Sequence, residues 1–455
     1  MMKTARLAAL IACALPFAAF AQPPKPAEEV ILYSGATIID GTGAAPRGNQ
    51  DMLVRGDRIV ALAPHGGLPA ADVAGAKQVD LAGRYVIPGL IDSHVHMATP
   101  PNAVQAKAML RRNLYGGVTA VRDMADDLRS VGELAREARM AEIPAPDIYY
   151  AAIMAGRPFF ADPRVAAASQ GVTPGTAPWM QAIDDRTDLK EAITLARGTS
   201  ASAIKVYADL TPRQVKAVTA AAHRQHMLVW AHSSVFPTRP ADVIAAGPDA
   251  ISHVCYLAYQ REPVMLAAYE DRTPVHENLL APGDDDPVMA DLFRAMLKQG
   301  TILDATGALF VKYEAKRKAD PKAKPLRCTG DLTTRLTRQA WKMGVPISTG
   351  TDFVGEVEDQ WPAVHEELLF LARNVGMPPV EVIRSATLVG AQAAGQGNEM
   401  GSIEPGKLAN FVVLKGDPVA DIANIQTIET VVKRGKAYAR NAYVPVTKDE
   451  MGDDE

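Results

Sequence analysis

The chain has 455 residues, 48% of them hydrophobic and 22% charged, with a net charge of −4. That composition excludes intrinsic disorder. With no basic patch, stacking-aromatic motif or zinc-knuckle spacing, it also argues against a nucleic-acid partner. Three cysteines are too few for a disulfide scaffold or a thiolate zinc site.

Residues 1–21 read as a cleavable signal peptide. Lys3 and Arg6 give a positive start, Leu7 to Phe20 is apolar apart from the breaker Pro16, and Ala19-Phe20-Ala21 supplies a small-x-small cleavage pattern. The run is too short to span a bilayer, so no membrane span is expected in the mature chain, and its location is periplasmic or secreted. Cleavage leaves Cys255 and Cys328, which are read as two isolated buried thiols, with pairing in an oxidising compartment as the alternative.

From Val30 to Val79 short β-type runs are separated by Gly-, Asp- and Pro-containing breaks, and the same texture returns in Phe411 to Leu414 and Thr430 to Lys433. Residues 22–84 and 399–445 are therefore expected to form the two parts of a small β-sandwich built from both chain ends. A solvated acidic tail follows at 446–455.

Residues 85–398 alternate apolar β-type runs with helical stretches. The strand candidates are Tyr85 to Ile87, Ala120 to Arg122, Ile148 to Ala151, Ala203 to Val206, Leu228 to Ala231, Ala250 to Ser252, Thr301 to Asp304 and Val345 to Ser348. Helices are predicted over Pro212 to Gln225 and over Pro287 to Gln299, the latter stopped by Gly300. Eight β/α repeats over this length predict an α/β fold, a (β/α)8 TIM-like barrel. No Gly-rich phosphate fingerprint follows the first strand to support a doubly wound sheet instead. Long insertions after the third and sixth strands are expected over the barrel mouth.

Several metal-ligand types fall at the ends of these strands. His94 and His96 stand at i and i+2, so both face one side of a strand and form a ready divalent-metal chelate. His232 ends the fifth strand, His253 the sixth, and Asp352 follows the eighth. Lys205 ends the fourth. As an ammonium it is no ligand, but a neutral amine takes up carbon dioxide to become a bridging carbamate; the alternative is an ammonium that binds a substrate carboxylate or snorkels to the rim. Tyr207 shares the face of Lys205 one layer nearer the mouth, where it either contacts substrate or packs. Asp304 and Thr306 end the seventh strand without assignable partners. His223 and His226 read as exposed helix residues, His365 as a packing or capping residue, and His276 as part of the sixth insertion. No Gly-x-Ser-x-Gly elbow supports a serine hydrolase.

The ordered set His94, His96, Lys205, His232, His253 and Asp352 resembles the amidohydrolase superfamily, in particular its imidazolonepropionase-like and Xaa-Pro dipeptidase-like branch. Asp40-Gly41-Thr42-Gly43, the stretch Pro88 to His96, Gly116 to Met124 and Gly401 to Ala409 match that family's phrasing; Asn410 departs from it, where Asp is usual. The resemblance implies a divalent-metal centre of two zinc ions, one held by His94, His96 and Asp352, the other by His232 and His253, with carboxylated Lys205 bridging them. Single-metal relatives leave the count open. It further implies hydrolysis of an amide-type C–N bond by metal-bound hydroxide, with Asp352 as general acid and base. The favoured substrate is a small molecule of the dipeptide or N-acyl amino acid type. A cyclic amidohydrolase and a catalytically dead periplasmic binding module are the alternatives, and homo-oligomerisation is left open.

Overall fold

The computed structural model describes residues 28–452, apart from 321, 323, 324 and 354. The expected signal peptide lies outside the described residues. Both chain ends enter one mixed eight-stranded sheet. Its order is Lys436–Ala439, Ile428–Lys433, Phe411–Leu414, Tyr85–Pro88, Val30–Ile38, Arg47–Arg55 and Arg58–Pro64, with Lys77–Asp80 also paired to Val30–Ile38. The two arms join where Val86 lies opposite Val413.

Alternation explains why these joining strands are apolar throughout. Phe411, Val413 and Val86 belong to the sheet's own core, with Ile31, Met52 and Ile59, whereas Val412, Leu414 and Ile87 turn the other way into the barrel core. A strand buried on both faces carries no polar side to betray which sheet it joins. Tyr85–Pro88 is accordingly not the first barrel strand, as its sequence suggests, but the hinge of the mixed sheet.

The barrel proper runs Leu90–Val95, Val118–Asp123, Asp147–Gly156, Ala203–Val206, Leu228–His232, Ala250–Ser252, Ile302–Asp304 and Ile347–Ser348, each parallel to the next. The last strand meets the first through Ser93 N–H donating to Thr349 O at 2.6 Å and Asp352 N–H donating to His94 O at 2.8 Å. Outer helices follow their signals. Pro212–Arg224 starts in a Thr211/Gln214 capping box and buries Val215, Val218, Ala221 and Ala222. Pro287–Gln299 starts at Asp286 and stops at Gly300, whose φ of +75° is the left-handed conformation a C-cap glycine supplies.

Three further contacts shape the molecule. Cys255 and Cys328 are bridged, with Cα atoms 6.2 Å apart and within the span of a disulfide. They are therefore not two isolated thiols: the turn after the sixth barrel strand packs against the segment preceding the helix Gly330–Lys342. The mixed sheet is fastened to the barrel where Asp147, at the start of the third strand, meets Lys433 (2.9 Å) and Arg434 (2.7 Å), all largely withdrawn from water. The first half of the acidic tail is docked instead of solvated. Thr447 and Glu450 form a capping box for the helix Lys448–Met451, and both carboxylate oxygens of Glu450 accept from Arg111 at 2.9–3.0 Å.

Candidate metal centre

His94 points inward from the first barrel strand, and His96 lies just past its end, their rings 5.6 Å apart. The His94 and His253 rings are 4.9 Å apart, and His253 and His232 4.6 Å. Asp352 closes the group: Oδ1 lies 3.6 Å from His94 Nε2 and 3.5 Å from His96 Nε2, and Oδ2 lies 3.8 Å from His253 Nε2. Ligand atoms around one tetrahedral zinc stand roughly 3.3 Å apart for bonds of about 2.0 Å. The donors of His94, His96 and Asp352 thus already surround a space of cation size. The backbone bends to put them there. His253, Thr306 and Asp352, which follow the sixth, seventh and eighth strands, all have left-handed φ (71°, 49° and 48°), a strain typical of functional sites.

Every one of the four imidazoles has its Nδ1 committed to an acceptor. His94 Nδ1–H donates to Asp304 Oδ2 (2.9 Å), His96 to Asp126 Oδ1 (2.7 Å), His232 to the carbonyl of Ser234 (2.9 Å) and His253 to Thr306 Oγ1 (2.8 Å). Thr306 spends its own hydroxyl hydrogen on the Ala305 carbonyl, so its oxygen can only accept from His253. All four rings therefore hold a proton on Nδ1 and leave Nε2 as the nitrogen available to a metal, in His96 after loss of a proton.

Electrostatics suit this group to a cation. Burial, with the charge of Lys205 contributing, pushes His94 and His232 well below the ordinary imidazole range; His253 is lowered by burial, His232 and Lys205. These rings stay neutral, as ligands must. In His96 burial is outweighed by the charge and hydrogen bond of Asp126, which raise it to about 9, so loading a metal there releases a proton. Lys205 is 1% exposed, and its Nζ has no hydrogen-bond partner among the described residues. Burial lowers it to about 7 against the pull of Asp304 and Asp352, leaving much of the amine neutral at neutral pH. Three neutral imidazoles, a fourth that gives up a proton on loading, a carboxylate and a buried amine make a donor set that fits divalent metal.

The sequence pointed to His94, His96, His232, His253, Lys205 and Asp352 as candidates, and of these the structure brings donor atoms of His94, His96 and Asp352 within reach of one ion; what holds the candidates in place was not read from the sequence. Asp304 Oδ2 accepts from His94 and from Ser252 Oγ (3.0 Å), with Arg122 Nη2 at 3.5 Å. Arg122, fully buried, stacks 4.7 Å over Trp230 and donates from Nε to Ser93 O at 2.8 Å. Asp126 accepts from His96 and from Thr99 Oγ1 (2.6 Å). Asp92 takes the backbone N–H of His94 and of Thr351, each at 3.1 Å, tying the first strand to the last. Their strand-end positions were the available signal, since Asp126 and Arg122 flank the end of the second strand and Asp304 ends the seventh. Tyr207 does stand at the site, its ring 5.1 Å from His232, with its hydroxyl donating to Tyr269 Oη at 2.9 Å. The histidines set aside are paired elsewhere: His223 with Asp249 (3.0 Å), His276 with Glu262 (2.7 Å) and buried His365 with the Gly116 carbonyl (2.8 Å).

Comparison with known proteins agrees. The chain is 37% identical over 112 residues to a D-hydantoinase of Streptomyces coelicolor (23% of each chain). It is 46% identical over 91 residues to a D-aminoacylase of Alcaligenes xylosoxydans xylosoxydans (20% of this chain, 17% of that one). It is 31% identical over 106 residues to an imidazolonepropionase of Geobacillus kaustophilus (22% and 24%). These matches span less than a quarter of each relative. Whole-fold likeness is broader. A Xaa-Pro dipeptidase structure with bound methionine superposes at TM-score 0.70 and 21% identity, covering 90% of this chain and 100% of that one. The Aspergillus niger ochratoxinase superposes at 0.71 and 20% identity, covering 91% and 96%. The family pattern described as "Amidohydrolase family" matches residues 85–438. That match extends over most of the chain and identifies the protein as a member of the amidohydrolase family.

Proposed function

We propose that this hydrolase cleaves the amide bond of a small substrate of the dipeptide or N-acyl amino acid type, with Asp352 as general acid and base. The observation that carries the reading is that all four imidazoles around Asp352 commit Nδ1 to an oxygen. Four independent acceptors have no reason to converge on Nδ1 unless Nε2 is to be used. His94, His96 and Asp352 would hold one cation, His232 and His253 a second, and Lys205, carboxylated on its unpartnered Nζ, would join them. Divalent metal at this centre supplies Lewis acidity towards the carbonyl and a water of lowered pKa. Asp352, 28% exposed at the mouth of the group, takes the proton of the attacking water and returns it to the departing nitrogen. The names of the D-aminoacylase and the Xaa-Pro dipeptidase support the substrate class. Those of the D-hydantoinase and the imidazolonepropionase support ring amides as the second reading.

Export belongs to the same proposal. The Cys255–Cys328 bridge supports it, because disulfides persist in oxidising compartments. Metal analysis of purified protein should find about two zinc-like ions per chain, and a screen of dipeptides, N-acyl amino acids and lactams should show turnover that chelation abolishes. One ion per chain would move the protein to the mononuclear type. A protein that binds no metal and turns over nothing in the screen would overturn the reading.

A further inference from the structure

We infer that Arg112 is a positioning residue for the reaction, holding the stretch that follows Asp352 so that its carboxylate stays aimed at the imidazoles. This rests on Asp352 as the proton carrier proposed above and adds the residue that keeps it in place.

His253, Thr306 and Asp352 all carry left-handed backbone at strand ends. That conformation is strained in a residue with a side chain and persists only where both flanks are held. His253 runs directly into the short helix Val254–Arg261, and Thr306 into the helix Gly307–Ala319. Asp352 has no helix behind it before Val364–Phe370. Its upstream flank is secured. Thr351 gives its N–H (3.1 Å) and its hydroxyl (2.9 Å) to Asp92, and Asp352 N–H bonds the His94 carbonyl. The downstream flank needs another source of order.

Arg112 supplies it. This residue lies in the helix Ala103–Tyr115 after the first barrel strand and is 3% exposed. Its Nη1 donates to the carbonyls of Glu356 and Asp359, the latter at 3.0 Å, and its Nη2 to that of Gly355 at 3.3 Å. No carboxylate among the described residues forms an ion pair with this guanidinium, so carbonyl dipoles solvate a buried charge. The approach is close, since a Cβ at Gly355 would stand 3.4 Å from Nη1. Between residues 355 and 361 the described backbone bonds to itself only in the turn from Asp359 N–H to Glu356 O at 3.2 Å.

The far end of the stretch is held in the same way. Arg440, which follows the last strand of the mixed sheet, donates to the carbonyls of Gln360 (3.0 Å) and Tyr115 (3.1 Å), with its guanidinium carbon 4.1 Å over the Trp361 ring. Two guanidinium groups thus take the carbonyls of Gly355, Glu356, Asp359 and Gln360. Arginine suits this task because its rigid planar fork serves several acceptors at once, which an ammonium does less well. Without Arg112 the strained backbone at Asp352 is free to relax, and its carboxylate leaves the three Nε2 atoms that it now faces at 3.5–3.8 Å.

The test compares Arg112→Ala, Arg112→Lys and Arg440→Gln with the unmodified full chain. Arg112 lines a cavity of about 20 Å³ with Asp92, Met109 and Gly355, which loss of its side chain enlarges to admit free guanidinium. On an amide that the screen above finds turned over, Arg112→Ala should lose about 10²-fold in kcat with KM nearly unchanged, the cost of a small misplacement. Millimolar guanidinium chloride should restore much of that loss, and equal urea or sodium chloride should not. Arg112→Lys should keep part of the rate, and Arg440→Gln, which frees only the far end, should lose less than Arg112→Ala. Co2+ added to the chelator-stripped proteins gives a second readout. Its visible bands should change in Arg112→Ala, as Asp352 moves, and return with guanidinium. Melting temperatures check folding, and if Arg112→Ala does not fold, Arg112→Lys decides: a lowered kcat at unchanged KM supports the inference and an unmodified kcat overturns it. An unchanged kcat, an unchanged Co2+ spectrum or a loss that guanidinium leaves untouched in Arg112→Ala overturns it while leaving amide hydrolysis standing. If no amide is turned over, the hydrolase reading fails on those substrates and the Co2+ spectra alone decide Arg112 by the same criterion. A chain that binds no Co2+ removes the metal-centre reading, and this inference falls with it.

Discussion

At the residue scale the centre depends on proton placement. Each imidazole surrenders Nδ1–H to an oxygen, and the four oxygens are of different kinds: two carboxylates, a carbonyl and a hydroxyl. Asp304 is the most heavily used, because one oxygen gathers His94, Ser252 and the neighbourhood of Arg122. Asp304→Asn keeps the shape but replaces part of that acceptor set with a donor. Metal affinity should fall about 10–100-fold, read by competition with a chromogenic chelator. Asp352→Asn removes the proton carrier instead. Its kcat should fall by about 10³-fold while elemental analysis shows most of the metal retained, and unchanged turnover would dismiss Asp352 from its role.

At the element scale one helix shows how the site borrows from its surroundings. Thr306 precedes the helix Gly307–Ala319 and would ordinarily cap it, but its hydroxyl serves His253 and makes no cap bond. The cap comes from Glu367 on the helix Val364–Phe370, whose oxygens accept from the N–H groups of Gly307 (3.0 Å) and Ala308 (2.7 Å). Glu367 is fully buried, and burial raises its carboxyl to about 8 despite those two hydrogen bonds. Because the folded value exceeds that of the unfolded chain, about 4.3, the folded state binds the extra proton between them, so stability should fall as pH rises through that window. Glu367→Gln should flatten the slope of melting temperature between pH 5 and 8, and an identical slope in the variant would count against this account. The strand ends were legible in the sequence, and with them the candidate donors His94, His96 and Asp352 that the fold brings together, because period-2 spacing and apolar runs are local properties. The partners on Nδ1 were not legible, since Asp126 meets His96 and Asp304 meets His94 only across the barrel. Tyr85–Pro88 was misplaced for a related reason: burial on both faces erases the alternation that tells one sheet from another.

At the scale of the molecule, two cores share a seam. Asp147 neutralises Lys433 and Arg434 there, and Lys433 Nζ also donates to the Ala138 carbonyl at 2.7 Å. Asp147→Ala would leave buried Lys433 without a carboxylate, while Arg434 keeps Asp57 at 3.7 Å, and should cost about 3–5 kcal/mol, visible as a lowered thermal midpoint that added salt does little to restore. The two-part organisation was legible from the β-type texture at both ends, whereas the seam was not, because its ion pairs join positions remote in sequence. The pairing of Val86 with Val413 has a consequence for biogenesis. A chain emerging vectorially from a ribosome makes the strand Tyr85–Pro88 first and must hold it unfinished until Phe411–Leu414 has followed. Long-range closure of this kind is slow. Trimming the strand Phe411–Leu414 should leave the early arm unpaired and prey to proteases.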